Sequence, residues 1–413
     1  MAAGGSCVAR TDEGQVVFVR HALPGERVRA VVTEGTAGSR YLRADAVEVL
    51  VASPDRVRPP CPYAGPGRCG GCDWQHAGRA AQRALKAAVV REQLRRLAGL
   101  DRPVEVEELA GAPDGLGWRT RVAFSVRADG VVGLRRARSH DVQPVDRCLI
   151  AHESVTAVGV ERRRWPGAAA VEVIAAVGTG DRAVVVTPAD PAAEPAVPPL
   201  DAPAALLRAD GHGRTTPVRG RPGVRERAAG RSWRVSGSGF WQVHPAAADT
   251  LVAAVLAALE PRPGDRALDL YAGVGLFAGA LASRLEPGGG VVAVEADPAA
   301  AADAAYNLRD LRSVEVRAAS VRSVLRHFPA RSVDLVVLDP PRAGAGPTLC
   351  RQLAALTPRA VAYVACDPAS LARDLAAFAT AGYPLAKLRA FDLFPMTSHV
   401  ECVALLRPRD SDS

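Results

Sequence analysis

The chain has 413 residues, 48% of them hydrophobic, which is more than one core usually serves and ample for two or three packed domains. Its formal net charge of +8 rests almost wholly on arginine, Lys86 and Lys387 being its only lysines. That balance favours a polyanionic partner such as nucleic acid, and is also what GC-rich codon bias produces. No charged segment followed by an apolar core opens the chain, and no stretch is long enough to cross a bilayer, so a cytoplasmic, monomeric protein without membrane contact is expected. In a reducing compartment its eight cysteines read as metal ligands, nucleophiles or buried apolar residues rather than disulfides.

From Gly4 to Val51 short alternating runs (15–19, 26–32 and 44–50), separated by Pro-Gly and Gly-rich turns, predict a small β-barrel. Within it, Val17-Phe-Val-Arg-His-Ala-Leu-Pro-Gly-Glu26 resembles the TRAM domain, an OB-like barrel of RNA-modifying enzymes. The usual first strand of such a barrel would precede Gly4, where only three residues stand, so the barrel is expected to lack it; a small β domain with no nucleic-acid role is the plainer alternative. Next, Cys61, Cys69 and Cys72 lie at spacings x7 and x2 in a Pro/Gly-rich loop, and Cys148 is the only cysteine between them and the C-terminal half. Four thiolates on such a loop suit a [4Fe–4S] cluster or tetrahedral zinc, and His76 leaves a Cys3His zinc site open. Residues 77–99 carry helical periodicity with arginines on the polar side, and 118–186 return to strand-like alternation in a unit that carries Cys148. Residues 188–230 lose all pattern and fill with Pro, Ala, Gly and Arg, predicting a poorly ordered insertion or linker.

After Trp233 the pattern sharpens. Ser238-Gly-Phe-Trp-Gln-Val-His-Pro245 leads into a helix over 246–259, and Asp265-Arg-Ala-Leu-Asp-Leu-Tyr-Ala-Gly-Val-Gly275 predicts a strand and a glycine turn. The next strand, Val291-Val-Ala-Val-Glu-Ala-Asp297, ends in a carboxylate, about the ~20 residues beyond the turn at which a ribose-binding acid is expected. Two further apolar strands end in Asp339 and Cys366, and Glu401 heads a last one. Chemistry-bearing residues at successive strand ends of alternating β and α segments predict a doubly wound α/β domain with a nucleotide-type site. An acid four residues before the first glycine, Asp269, and the absence of G-x-G-x-x-G resemble class I S-adenosylmethionine methyltransferases, whose cofactor has no pyrophosphate; the absence of a P-loop lysine argues against phosphoryl transfer.

A thiol, a base and orienting carboxylates suit methylation of a carbon that is a poor nucleophile. Thiolate addition at C6 of uracil makes C5 able to attack a sulfonium methyl, and a base must then take the C5 proton. The motifs Phe240-x-Gln242, Asp269-Leu-Tyr-x-Gly-x-Gly275, Asp339-Pro-Pro-Arg342, Tyr363-Val-Ala-Cys-Asp-Pro368 with Leu371-Ala-Arg-Asp374, and Phe394-Pro-Met-Thr-Ser-His-Val-Glu401 resemble, in that order, the RNA (uracil-5-)methyltransferase family. The resemblance implies a class I Rossmann-like methyltransferase domain over 231–413, a TRAM-like barrel over 1–52 and a central β-rich iron–sulfur domain over 53–230. It implies Cys366 as nucleophile and Glu401 as base. Gln242, Tyr271, Gly273, Gly275, Glu295 and Asp339 would surround S-adenosylmethionine and the target base. Cys61, Cys69, Cys72 and Cys148 would hold a [4Fe–4S] cluster, with zinc the lesser alternative, and a structured RNA, ribosomal before transfer RNA, would be the substrate.

Departures from the family pattern are Asp367 in place of Asn, His244 at the end of the Phe-x-Gln-x-Asn pattern, Leu276 after the second glycine, and the longer first cysteine spacing. Asp367 would oppose thiolate formation unless hydrogen-bonded away. His244 and His399 are expected to be structural or substrate-adjacent, Arg342 to be a structural ion-pair partner rather than a phosphate contact, and Cys350 and Cys402 to be core residues. The competing readings are an exocyclic-amine methyltransferase, suggested by Asp-Pro-Pro, and an RNA-binding or folding factor with incidental methylation.

Overall fold

In the computed structural model, which describes residues 1–2, 4–36 and 38–409, the chain begins with strands β1 (Cys7–Arg10), β2 (Val16–Arg20), β3 (Arg27–Glu34) and β4 (Tyr41–Val51). They form one sheet of order β1-β2-β4-β3 over a narrow core of Val19, Ala22 and Ala46. The expected closed barrel is corrected: the sheet begins at Cys7, with a strand, β1, outside the expected runs, and among the described residues it is open, with β1 and β3 at its edges.

Helix α1 (Arg79–Gln93) continues as a π-turn over Leu94–Ala98 and stops at Gly99, whose φ of 66° is left-handed. Strand β5 (Val106–Glu108) follows, then β6 (Arg121–Val126), β7 (Val132–Arg135), β8 (Val142–Pro144), the short α2 (Glu153–Thr156), β9 (Ala168–Ala176), β10 (Asp181–Pro188), β11 (Ala205–Ala209) and β12 (Thr215–Arg219). Strands β6 to β12 make a seven-stranded sheet of order β12-β11-β10-β9-β6-β7-β8. One of its faces buries Val171, Val173, Val184 and Val186 with Phe124 and Trp165, and the other buries Ile174, Ala183 and Val185 against the C-terminal half. Strand alternation places neighbours on opposite faces, so a sheet covered on both sides needs consecutive apolar residues where the cover lies, as in Val173–Ala176 of β9 and Ala183–Val186 of β10.

Residues 188–230 do not form a linker. They hold β11, β12 and the first half of a hairpin, β13 (Gly223–Ala228) with β14 (Arg231–Ser236), which crosses the expected boundary at residue 230. Leu206 and Leu207 enter opposite cores, and two apolar residues in a Pro/Arg-rich stretch were too few to show as a period.

The C-terminal half runs α3 (Ala247–Leu259), β15 (Arg266–Leu270), α4 (Leu276–Leu285), β16 (Gly290–Glu295), α5 (Pro298–Leu308), β17 (Val314–Ala318), α6 (Val321–Leu325), β18 (Leu335–Leu338), α7 (Pro347–Ala355), β19 (Ala360–Ala365), α8 (Pro368–Thr380), β20 (Leu385–Asp392) and β21 (Glu401–Leu406). Its sheet has the order β17-β16-β15-β18-β19-β21-β20-β5. Strands β15 to β19 are mutually parallel, β21 is antiparallel to both neighbours, and β5 adds in parallel to β20. Strand β5 thus belongs to this sheet although it lies within the expected central domain. The strand order reverses between β15 and β18, which opens a crevice at the carboxyl ends of the parallel strands. Because β21 runs the other way, its first residue, Glu401, lies at that same edge.

Candidate active site

The turn from β15 into α4 holds three residues in left-handed geometry: Tyr271 (φ 62°), Gly273 (54°) and Gly275 (91°). A Cβ on Gly273 would meet nothing within 4 Å, so this glycine serves the turn's conformation and its open side, whereas one on Gly275 would lie 2.6 Å from Leu308 Cδ1, so that glycine lets α5 close on the turn. Glu295 ties the next strand to the turn: its Oε2 accepts from Gly273 N at 2.9 Å and its Oε1 from Asp297 N at 2.8 Å. Asp269 is fully buried, with Oδ2 accepting from Ala278 N at 2.8 Å and Oδ1 without a partner among the described residues. Burial, with Asp339 and Glu295 adding, pushes its carboxyl up to about 7 against that backbone bond. Asp339 keeps some exposed surface as a residue, yet its carboxyl is surrounded by protein, and burial pushes it too up to about 7. Three carboxyl groups beside an open glycine turn suit a cationic ligand with hydroxyls to bind.

Cys366 follows the last residue of β19, half-buried. The β19–β21 register pairs Ala365 with Cys402, and one further step of that antiparallel register sets Cys366 across from Glu401. Glu401 is buried, and burial holds it well above the usual carboxylate range, with Asp339 adding and Arg342 opposing. Burial, with Glu401 and Asp339 adding and Arg342 opposing, pushes the Cys366 thiol up to about 11. Asp367 does not face the thiol as a free charge. It caps α8, its Oδ1 accepting from Ser370 N at 2.7 Å and Ser370 Oγ at 2.8 Å. Cys366 therefore sits just ahead of a 13-residue helix, whose amino end favours a thiolate by about 0.3–1 kcal/mol. Asp374, on the same helix, accepts from Tyr363 Oη and Ala345 N, each at 2.7 Å, and fixes the loop that follows Asp339-Pro-Pro-Arg342.

Arg342 was expected to be an ion-pair partner. It is instead exposed and makes no ion pair among the described residues; only its carbonyl is held, by Ser370 Oγ at 2.8 Å. A free guanidinium whose field lowers both Cys366 and Glu401 gives a checkable outcome. Arg342→Ala should raise the Cys366 pKa, so that alkylation of this one cysteine, followed by peptide mass spectrometry at fixed neutral pH, slows roughly threefold to tenfold and its pH midpoint moves upward.

The remaining expected site residues divide. Gln242 is half-buried and its side chain makes no protein hydrogen bond among the described residues, while its neighbour Val243 is anchored by Thr120, whose N and Oγ1 donate to Val243 O at 2.8 and 3.0 Å. His244 is structural: buried, stacked on Trp118 at 6.0 Å, its Nδ1 accepting from Ala246 N at 3.2 Å, and pulled down to about 4 by burial. Leu276 is a core residue at the start of α4, and Cys350 and Cys402 are fully buried.

Far upstream in the chain, Cys61, Cys69, Cys72 and Cys148 line one cavity of about 190 Å³ together with Tyr63, Arg119 and Ile150. Gly70 lets this loop lie on β7–β8, since a Cβ there would stand 2.6 Å from Ala137 Cα. Burial raises the thiols of Cys69, Cys72 and Cys148, the last to about 11. Among the described residues no three His, Cys, Asp or Glu are gathered closely enough to hold a single metal ion. His76 does not line the cavity; it is buried against the edge of His21 at 6.0 Å, so the Cys3His alternative fails.

Residues that sequence reasoning passed over join the two regions. Lys86 of α1 is fully buried, its Nζ donating to Asp392 Oδ1 at 2.5 Å and to Phe394 O at 3.0 Å. Gln82, one turn earlier, accepts from Met396 N at 2.9 Å, and Asp73 bonds Ser398. The available signal was Lys86 itself, one of two lysines in an arginine-rich chain, on a face that helical periodicity assigns to the core.

Comparison with known proteins agrees with this geometry. A family model described as tRNA (uracil-5-)-methyltransferase matches residues 224–409, and a TRAM domain model matches residues 3–47. The chain is 57% identical to an uncharacterised RNA methyltransferase of Streptomyces coelicolor, covering 99% of this chain and 91% of that protein. It is 35% identical to the 23S rRNA (uracil(1939)-C(5))-methyltransferase RlmD of Chromohalobacter salexigens, covering 98% and 87%. Its fold is similar to that of the Pyrococcus abyssi tRNA (uracil-54, C5)-methyltransferase solved with S-adenosyl-L-homocysteine, with a TM-score of 0.70 at 23% identity over 98% of this chain and 100% of that one. With a family model over its C-terminal half and relatives of this kind along nearly its whole length, the chain belongs to the RNA (uracil-5-)methyltransferase family.

Proposed function

We propose that the protein transfers a methyl group from S-adenosylmethionine to C5 of a uridine in structured RNA, ribosomal rather than transfer, through a covalent bond between Cys366 and C6. The observation that carries this reading is the register that sets Cys366 across from Glu401 at the carboxyl edge of the sheet. The methyl donor, when bound, supplies an electrophilic methyl on a positively charged sulfur. In this reading the glycine turn and Glu295 hold its ribose, and Asp269 and Asp339, whose carboxyls burial pushes up to about 7, ionise against its positive charge. Cys366 adds to C6, which turns C5 into an enolate carbon. Once C5 carries the methyl group, Glu401, a stronger base than a surface carboxylate because burial raises its pKa, takes the C5 proton, and the C–H electron pair restores the C5–C6 double bond as the Cys366 thiolate leaves.

The RlmD relative matches nearly the whole chain, TRAM segment and cysteine loop included, which supports ribosomal RNA. Incubation with methyl-labelled donor and unmodified 23S rRNA or tRNA transcripts should label the ribosomal transcript as 5-methyluridine, and Cys366→Ala should lose at least the ~10²–10⁴ that a covalent or acid–base group contributes. Label on an exocyclic amine would overturn the reaction, and label on tRNA alone the substrate.

Cys61, Cys69, Cys72 and Cys148 line one space of about 190 Å³, and a [4Fe–4S] cluster, which takes four thiolates, is the group the family resemblance favours there over zinc. Anaerobically purified protein should be brown, with broad visible absorption and about four irons per chain; a colourless protein with one zinc would contradict this.

A further inference from the structure

The segment Cys72-Asp73-Trp74 leaves the cysteine cavity and runs directly into the turn 394–399 that delivers Glu401 to the site. Asp73 Oδ2 accepts from Ser398 N at 3.0 Å and from Ser398 Oγ at 2.9 Å. Trp74 N donates to Met396 O at 3.0 Å, and Gln82 Nε2 donates to Trp74 O at 3.1 Å while its Oε1 receives Met396 N at 2.9 Å. Met396 has a left-handed φ of 66°, a conformation costing a side-chain-bearing residue roughly 1–2 kcal/mol. Such a backbone persists only where its surroundings hold it. Its side chain packs with Ala112, Trp118 and Ile150 in a small cluster whose rim includes Cys72 and Cys148. The turn is thus fixed largely from outside, by the chain next to the cysteine cavity and by α1, and Glu401 follows Ser398 by three residues.

We propose that Asp73 is a positioning residue for the proton-accepting Glu401, its bond to Ser398 holding the 394–399 turn so that the carboxylate reaches C5 of the methylated base. The inference rests on the reading of Glu401 as the base. In the step concerned the C5–H bond breaks, the proton passes to the Glu401 carboxylate, its electron pair restores the C5–C6 double bond, and the C6–S bond breaks with its electrons returning to Cys366. Displacing Glu401 slows this step and none before it, so RNA should pile up attached to the protein.

Full-length Asp73→Ala, Asp73→Asn, Ser398→Ala and Glu401→Gln proteins, each checked for iron content and visible spectrum, would be compared on an unmodified 23S rRNA transcript and on the same transcript made with 5-fluorouridine. Fluorine at C5 cannot leave as a proton does, so the fluorinated transcript traps the adduct whenever the earlier steps are intact. For Asp73→Ala the expected result is a turnover loss of roughly 10–100-fold, as for a small misplacement of a reacting group. A denaturation-resistant protein–RNA band should appear on the ordinary transcript, with wild-type trapping on the fluorinated one and an unchanged spectrum. Asp73→Asn, which keeps an acceptor oxygen, should recover most of the rate. Ser398→Ala, which keeps the backbone bond, should accumulate less adduct and stands in if Asp73→Ala does not fold. Wild-type turnover in Asp73→Ala, or lost turnover without a band on the ordinary transcript, would overturn the proposal. If Glu401→Gln accumulates adduct and Asp73→Ala does not, only the role of Asp73 fails; if neither does, the assignment of the base fails with it.

Discussion

Glu401→Gln is expected to reduce turnover by roughly 10²–10⁴-fold while leaving methylated RNA attached to Cys366 through a bond that survives denaturation. The two effects belong together. Addition and methyl transfer use the thiol, whereas release needs a carboxylate to accept the C5 proton, and an amide of the same shape cannot. The substitution also removes a charge that raises the Cys366 pKa, so the thiol should alkylate faster even as turnover stops. In the unaltered protein a base must be unprotonated to act, and burial holds Glu401 well above the usual carboxylate range, so the rate should climb as pH rises through that raised value. Gel analysis of the RNA-bound fraction and a pH–rate profile check the two parts; an inactive variant that holds no RNA would remove Glu401 from the proton step.

Lys86→Ala should be the most destabilising single change outside the site. Its ammonium and the Asp392 carboxylate are both wholly buried and 2.5 Å apart, and removing one partner leaves the other charge without its counterpart in a low-dielectric interior. Such losses run to about 3–5 kcal/mol; the lower end applies because Arg79 remains 3.0 Å from the second Asp392 oxygen. Burial also pulls the Lys86 pKa down to about 8 despite the pull of Asp392, a sign of how dry the pocket is. Lys86→Met, which loses the same donor to Asp392 and Phe394 O but keeps the volume, should be destabilised by a similar amount, whereas a purely steric role would leave it near wild type. Urea unfolding followed by tryptophan fluorescence reads both, since Trp118 lies in the cluster that holds Met396.

The catalytic half was legible because its strands are short apolar runs that end in chemistry: Leu335–Leu338 before Asp339, and Ala360–Ala365 before Cys366. Strands buried on both faces must be apolar throughout, so each polar residue that ends one marks the sheet edge where ligands bind. What the sequence hid were pairings made at long range. Strand β5 has three residues and owes its place to β20 and to the Arg389–Glu107 ion pair. Strands β11 to β13 are held by a few apolar side chains within a composition that reads as linker. The departure at Asp367 was visible, but its harmlessness was not, because only the fold shows its carboxylate turned onto Ser370 as a helix cap. Arg342 was misread for the converse reason: nothing in the chain announces that, among the described residues, no carboxylate comes within ion-pair distance of it.

The central claim, that one sulfur adds to the target pyrimidine, is tested most directly by trapping on RNA containing 5-fluorouridine in the presence of methyl donor, followed by trypsin, nuclease and mass spectrometry. The tryptic peptide 360–373, which holds Cys366, should carry a methylated fluoropyrimidine. Fluoropyrimidine on a peptide bearing another cysteine, or 5-methyluridine formed in normal yield on ordinary RNA by a protein that lacks the Cys366 sulfur, would contradict it.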